Sequence, residues 1–244
     1  MAETTALPPR PPPFAIIARD ITPTPLLTHI KDEKTFNHLG DFDTHRLASD
    51  AATYMAANSD GTFAGLHQTL LTFLTLAATD TVALAAPPDK PLITQACWLT
   101  ARMWQPDDAF ATPRWHRDGR MFTCSCTGEA DARVPHAKYA VVLLGLPTLL
   151  LQPSAAADGL GRLGRRERAE LAAALDDFPR VSVAAGDVIR FSWGQKDAPV
   201  HSEPDVSVGD RVFVSVLFGS ETEIRDMAEV RGQKPEDWGS WPKA

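Results

Sequence analysis

The sequence predicts a mainly β protein with flanking helices, an α+β arrangement around a double-sheet β-barrel or jelly-roll core. Three observations carry this expectation. Short strand-like runs at moderate spacing occupy the chain from about residue 93 onward. The stretch before them is rich in Ala, Leu and Thr at helical spacing. There is no internal repeat and no βαβ alternation, so strands must pair mostly with one another.

The elements follow in order. Residues 1–13 carry Pro8, Pro9, Pro11, Pro12 and Pro13 and read as an extended, disordered arm. Residues 14–92 read as a helical N-terminal region packing on the core. Within it Leu66, Leu70, Phe73, Leu74 and Ala77 recur on one helical face, and Pro87, Pro88 and Pro91 end the run. Residues 93–220 are the expected core. Its candidate strands are 93–104, with Thr100, Arg102 and Trp104 on one face; 122–127; and 138–151, bent at Gly145-Leu146-Pro147. They continue with 181–183, a Gly186-Asp187 turn, and 188–193, where Ile189, Phe191 and Trp193 alternate to one side. The last, 211–218, separates Val212, Val214, Val216 and Phe218 from Arg211, Phe213, Ser215 and Leu217. An inserted helix at about 165–178 presents Leu171, Leu175 and Phe178. Residues 221–244 form a polar tail with Trp238 and Trp241, read as a short helix and a docking segment.

Bulk properties narrow the function classes. With 24 Lys and Arg against 31 Asp and Glu, the net charge of −7 argues against a general nucleic-acid or anionic-membrane binder. Three cysteines cannot build a disulfide framework. On a strand, Cys124 and Cys126 would sit about 6.6 Å apart, near the limit for a bridge, and read as two small same-face residues. No cationic-then-apolar leader opens the chain, and the apolar run 139–151 is interrupted and too short for a bilayer. The expectation is a reduced, cytoplasmic, soluble protein acting on a small molecule, with its oligomeric state open.

The chemistry gathers around three residues. His116 and Asp118 stand two apart, so on an extended segment both side chains reach the same side. His201 follows the strand ending at Trp193. Two imidazoles and one carboxylate on one face of an iron leave three positions open, the ligand set of iron(II) oxygenases. Each residue also has a plainer reading. Asp118-Gly119 is a common turn pair, and an isolated histidine is usually a surface or hydrogen-bonded one. Spacing and strand context together favour the metal site. His29, His38, His45 and His67, in the expected helical region, and His136, in a polar loop, are not expected as ligands.

Ten residues past His201 comes Arg211, whose guanidinium fork can hold a carboxylate bidentately. Facing inward on a core strand it is costly without an anion. It could instead reach solvent, or pair with Asp210 or Asp187.

His116-x-Asp118, a distal His201 and an arginine ten residues later resemble the iron(II) and 2-oxoglutarate-dependent dioxygenases, whose core is a double-stranded β-helix. Local phrases over about 93–220 also resemble the DUF1826 branch: an aromatic before His-x-Asp, Gly145-Leu146-Pro147-Thr148, and a Gly-Asp turn before the distal histidine. The resemblance implies Fe(II), with 2-oxoglutarate and O2 as co-substrates, Arg211 gripping the far carboxylate, and oxidation of a substrate C–H bond coupled to release of succinate and CO2. The retained Asp118 argues against halogenation. One departure stands out: the family often has Ser or Thr two residues after the arginine, and here Phe213 occupies that position. Ser215 is about 13 Å from Arg211 along a strand, so Thr100, Arg102, Lys138 or Tyr139 could supply the second contact. Trp104, Trp115 and Trp193 are candidates to line the substrate side.

Gly159-x-Gly161-x-x-Gly164 formally matches a dinucleotide fingerprint but follows no strand directly. The Arg162, Arg165, Arg166 and Arg168 cluster reads as a solvated loop or a basic lid for an anionic substrate. Other readings of the whole chain stay open: a non-catalytic jelly-roll or cupin-like metal-binding or scaffold protein, and a metal dioxygenase without 2-oxoglutarate.

Overall fold

The computed structural model describes residues 12–22, 26–84, 94–118, 136–157, 167–193 and 198–230. The expected strand at 122–127 with Cys124 and Cys126, the glycine run at 159–164, Arg162, Arg165, Arg166, Trp238, Trp241 and most of the proline arm lie outside these residues.

The described strands are β1 (Phe14–Ala18), β2 (Lys34–Asp41), β3 (Ala96–Trp104), β4 (Ala137–Leu144), β5 (Leu149–Leu150), β6 (Val188–Ser192), β7 (His201–Ser202) and β8 (Arg211–Gly219). The helices are α1 (Thr44–Ala57), α2 (Phe63–Leu84), α3 (Arg168–Leu175) and α4 (Glu221–Val230). Six strands form a major antiparallel sheet in the order β1-β6-β4-β8-β3-β2, and β5 pairs with β7 in a minor one. Bridges from His116 to His201 and from Leu151 to Arg180 widen the minor sheet to four short segments. The fold is therefore mostly antiparallel sheet with flanking helices.

The alternation along the strands sorts the molecule into layers. From β3, Cys97, Leu99, Ala101 and Met103 turn toward α1 and α2. From β8, Val212, Val214, Val216 and Phe218 do the same, and from β4 Tyr139, Val141 and Leu143. The predicted α2 stripe of Leu66, Leu70, Phe73, Leu74 and Ala77 lies in that cluster, fully buried. The opposite face of the major sheet looks toward the minor sheet, behind which α3 packs Leu175 against Trp115, Leu151 and Val200.

The region 14–92 differs from its helical expectation. It supplies β1 and β2, which occupy the two edges of the major sheet, so His38 lies on a strand. β1 is only five residues long and half-buried throughout, and β2 is exposed in its first half and buried in its second, so neither carries a strong apolar alternation. The long apolar run 138–151 is two strands. Gly145, at φ +84°, ends β4, and a Cβ there would collide with the Asp210 carbonyl. That turn moves the chain from the major to the minor sheet. Helix α4 begins with a capping box: Ser220 N–H donates to Glu223 Oε2 at 2.8 Å while Glu223 N–H donates to Ser220 Oγ at 3.3 Å. Among the described residues, no helix is long and apolar enough to cross a membrane.

Candidate metal centre

Between the two sheets lies a cavity of about 440 Å³, within the usual range for small-ligand sites of roughly 300–1,000 Å³. His116, Asp118 and His201 meet at its wall, with one ligand-capable atom from each inside 4.8 Å of the others. The local reason is backbone pairing: His116 and His201 exchange both backbone hydrogen bonds, at 2.8 and 2.9 Å, which brings distant segments side by side. Asp118, two residues on, faces the same way, with Oδ1 3.9 Å from His116 Nε2 and Oδ2 3.5 Å from His201 Nε2.

The rings are held in one tautomer. His116 Nδ1 is 2.8 Å from the Arg114 carbonyl and His201 Nδ1 3.1 Å from the Pro199 carbonyl. A carbonyl only accepts, so each Nδ1 carries a proton, and in the neutral ring that leaves the lone pair on Nε2. Burial holds the His201 pKa down to about 4, against the opposing pull of Asp118, so the ring is neutral at pH 7. Burial by itself would raise Asp118, but the Lys138 ammonium and then the two imidazoles keep it below the usual carboxylate range. Two imidazole Nε2 atoms and a carboxylate therefore converge, each with its outer partner in place, and these donors suit a divalent transition metal. Among the described residues, this is the group of His, Cys, Asp and Glu arranged to hold a metal ion.

Lys138 reaches in from β4 and donates to Asp118 Oδ2 at 3.1 Å. Its ammonium lies over Phe191, Trp193 and Phe213 at 5.2, 5.1 and 5.8 Å, an aromatic cradle for a desolvated cation.

Arg211 is 2% exposed, and burial lowers its pKa to about 10, still charged at neutral pH. Neither suggested carboxylate reaches it: Asp210 takes His29 at 2.7 Å and Asp187 takes Arg19 at 3.0 Å. Its Nε donates to the Leu146 carbonyl at 3.1 Å and its Nη2 to Thr148 Oγ1 at 3.2 Å, while the guanidinium lies 5.4 Å from the Trp104 ring. Thr148 also lines the cavity. The sequence signal for it was Gly145-Leu146-Pro147-Thr148: a glycine turn followed three residues later by a hydroxyl.

The other expected site residues divide. Arg102, Trp104 and Trp193 line the cavity with Arg211. Tyr139 does not: it follows Lys138 on β4 and so faces the helices, where its hydroxyl donates to Asp80 at 2.8 Å and accepts from Thr81 at 2.9 Å. Trp115 is misplaced by the same period-two rule, since it adjoins His116 and turns into the α3 cluster. Thr100 and Ser215 sit opposite each other on the cavity side of β3 and β8, buried, but outside the cavity lining, and Thr100 donates to Asn37 at 3.3 Å. Of the other histidines, His29 pairs with Asp210, His38 contacts the Asp41 carbonyl and His136 pairs with Glu223, all away from the cluster.

Among solved structures the chain is similar to EvdMO1, at 21% identity and a TM-score of 0.35, covering 63% of this chain and 32% of that one. It is similar to the non-heme alpha ketoglutarate dependent carbocyclase SnoK from nogalamycin biosynthesis, at 14% identity and 0.30, covering 50% and 48%. A third is the dioxygenase for auxin oxidation in rice, at 11% and 0.38, covering 88% and 74%. The chain thus spans about a third of EvdMO1 and about half of SnoK. No family model and no curated protein matches, so the DUF1826 likeness rests on its short phrases alone. With TM-scores below 0.4 the overlaps are partial, and the site stands on its own residues.

Proposed function

We propose that this protein is a non-haem iron(II), 2-oxoglutarate-dependent oxygenase acting on a C–H bond of a small molecule, with the two sheets forming a double-stranded β-helix core. The observation that carries the reading is the convergence of His116 Nε2, His201 Nε2 and the Asp118 carboxylate within 4.8 Å, both rings being locked by backbone carbonyls. Bound iron would supply oxygen activation, with one face of the ion left open for co-substrate and oxygen.

The remaining roles belong to the chain. Arg211 takes the far carboxylate of 2-oxoglutarate, its fork oriented by the Leu146 carbonyl. Thr148 stands where the missing hydroxyl at Phe213 would act: it accepts from Arg211 and so keeps its own proton to donate to that carboxylate. Lys138 restrains Asp118 and offsets its charge when no dication is present. Phe191, Trp193 and Phe213 keep water from the ligands.

Addition of iron(II) and then 2-oxoglutarate under anaerobic conditions should produce a visible metal-to-ligand charge-transfer band. His116→Ala should abolish the band, and Arg211→Ala should weaken 2-oxoglutarate binding by about 100-fold, the loss of a buried charge-assisted pair. In air, slow succinate release without added substrate should follow the same pattern. Binding of zinc or iron with no response to 2-oxoglutarate would sink the 2-oxoglutarate-dependent reading and leave a metal-binding scaffold or a metal dioxygenase without that co-substrate.

A further inference from the structure

The cavity holds more positive charge than the proposed chemistry uses. Its lining contains the cations Arg102, Arg114, Arg117, Lys138 and Arg211, in a chain whose net charge is −7. Two carboxylates face them, and both are engaged: Asp118 by Lys138 at 3.1 Å, Glu203 by Arg114 at 2.5 Å. Arg117 donates to the Ala198 carbonyl at 2.7 Å.

Arg102 is different. It projects from the cavity face of β3, opposite Phe213, with its guanidinium 5.8 Å from the Trp104 ring. Among the described residues its guanidinium has neither a hydrogen bond nor an ion pair. Burial lowers its pKa against the longer-range pull of Glu203 and Asp118, so a half-buried, partly desolvated charge has no carboxylate in contact with it. Trp104 contacts both guanidinium groups, its ring 5.8 Å from the carbon of Arg102 and 5.4 Å from that of Arg211, and the two arginines come from different strands, Arg102 opposite Phe213 and Arg211 opposite Trp104. Trp193, also in the lining, has a buried indole N–H with no acceptor among the described residues.

The inference rests on Arg211 being the co-substrate anchor. In that reading Asp118 is shared between iron and Lys138, whose ammonium also rests against Phe191, Trp193 and Phe213, the 1-carboxylate of 2-oxoglutarate completes the balance at iron, and the other carboxylate takes Arg211. Arg102 then has no anion. We propose that Arg102 is a specificity-determining residue that holds the oxyanion of a carboxylate- or phosphate-bearing substrate, whose apolar body lies among Trp98, Trp104 and Trp193. A guanidinium fork suits a planar carboxylate or a phosphate equally, and a buried cation rejects neutral analogues because binding them leaves it unpaired.

The test uses 3-phenylpropionate, phenyl phosphate and the neutral 3-phenylpropanol, titrated by calorimetry into the full chain with and without saturating 2-oxoglutarate and manganese(II). At least one anion should bind tenfold or more tightly than the alcohol in the 2-oxoglutarate-loaded protein, and the tighter of the two identifies the oxyanion. Arg102→Met, which keeps an apolar stem against Trp104, should erase that preference and change the Kd for 2-oxoglutarate less than threefold. Arg102→Lys, which keeps the charge and loses the fork, should retain part of it, and unchanged thermal unfolding of either variant shows an intact fold. Equal binding of alcohol and anions, or loss of 2-oxoglutarate binding in Arg102→Met to the same degree as in Arg211→Ala, overturns the proposal. If 2-oxoglutarate does not bind the wild-type chain while the Arg102-dependent preference persists, the co-substrate reading fails and the anion site stands.

Discussion

Thr148 is a small residue with a large proposed effect, because it is the hydroxyl beside a cation that no carboxylate of the described residues neutralises. Its Oγ1 accepts from Arg211 at 3.2 Å, which directs its single proton elsewhere, into the cavity that both residues line. Thr148→Val keeps the branched shape and removes the oxygen. The expected result is a five- to tenfold rise in the 2-oxoglutarate Kd, about 1 kcal/mol, with iron affinity unchanged, as read by titrating the charge-transfer band. An unchanged Kd would remove Thr148 from the anchor. His116 and His201 obey the same logic in reverse: their Nδ1 protons are committed to carbonyls, so it is Nε2 that each ring turns toward the cluster.

At the scale of the element, β4 shows how one strand serves two purposes. Lys138 faces the cavity and Tyr139 the helices, where the tyrosine hydroxyl closes a polar cluster with Asp80, Thr81 and Arg190. Arg190 reaches Asp80 at 3.0 Å, so the pair joins β6 to α2 through an otherwise apolar layer. Tyr139→Phe removes two hydrogen bonds and should cost about 1–2 kcal/mol in urea unfolding. Its Kd for 2-oxoglutarate should stay at the wild-type value, since the side chain never reaches the cavity. A mutant of normal stability that has lost 2-oxoglutarate binding would contradict the assignment of faces.

Across the whole molecule, stability should depend on pH through histidines that the fold buries. Burial lowers the pKa of both His201, to about 4, and His38, against an unfolded value of about 6.5. Between these limits the unfolded chain binds more protons than the folded one. The stabilisation is therefore complete above pH 6.5 and is lost as pH falls toward 4. For the metal-free protein, urea unfolding over that window should show a loss on the order of 2–3 kcal/mol. His201→Gln should flatten the curve in part and leave the share of His38. Glu203, held near 2 mainly by Arg114 against the effect of burial, stays ionised throughout and adds its own loss only below about pH 4.5. A flat wild-type profile between pH 6.5 and 4 would show that His201 is solvated.

Much of this was legible without coordinates. Strong alternation on 211–218 separated the two faces of β8 correctly, because a central strand buried between two layers must carry a consistent side-chain set on each. The α2 stripe and the pairing of His116 with Asp118 were readable for the same kind of reason: helical spacing, and the fact that residues two apart on an extended chain share a side. Other features depended on long-range pairing. Whether 14–18 and 34–41 form strands is decided by the edges of the sheet they join, since neither run has a pattern strong enough to specify itself. Tyr139 and Trp115 looked like site residues by composition, yet each adjoins a residue that does face the site, and alternation turns both away. Which anions a buried arginine meets is likewise a question of distance, not order along the chain. Residue types and their local periodicity thus determined the faces and the pairing of His116 with Asp118, while His201 was proposed from the ligand set that such a pair calls for. Only the tertiary structure decided that Thr148 stands beside Arg211 and that Arg102 is left with its charge unmatched, because both facts arise where strands distant in sequence are brought together.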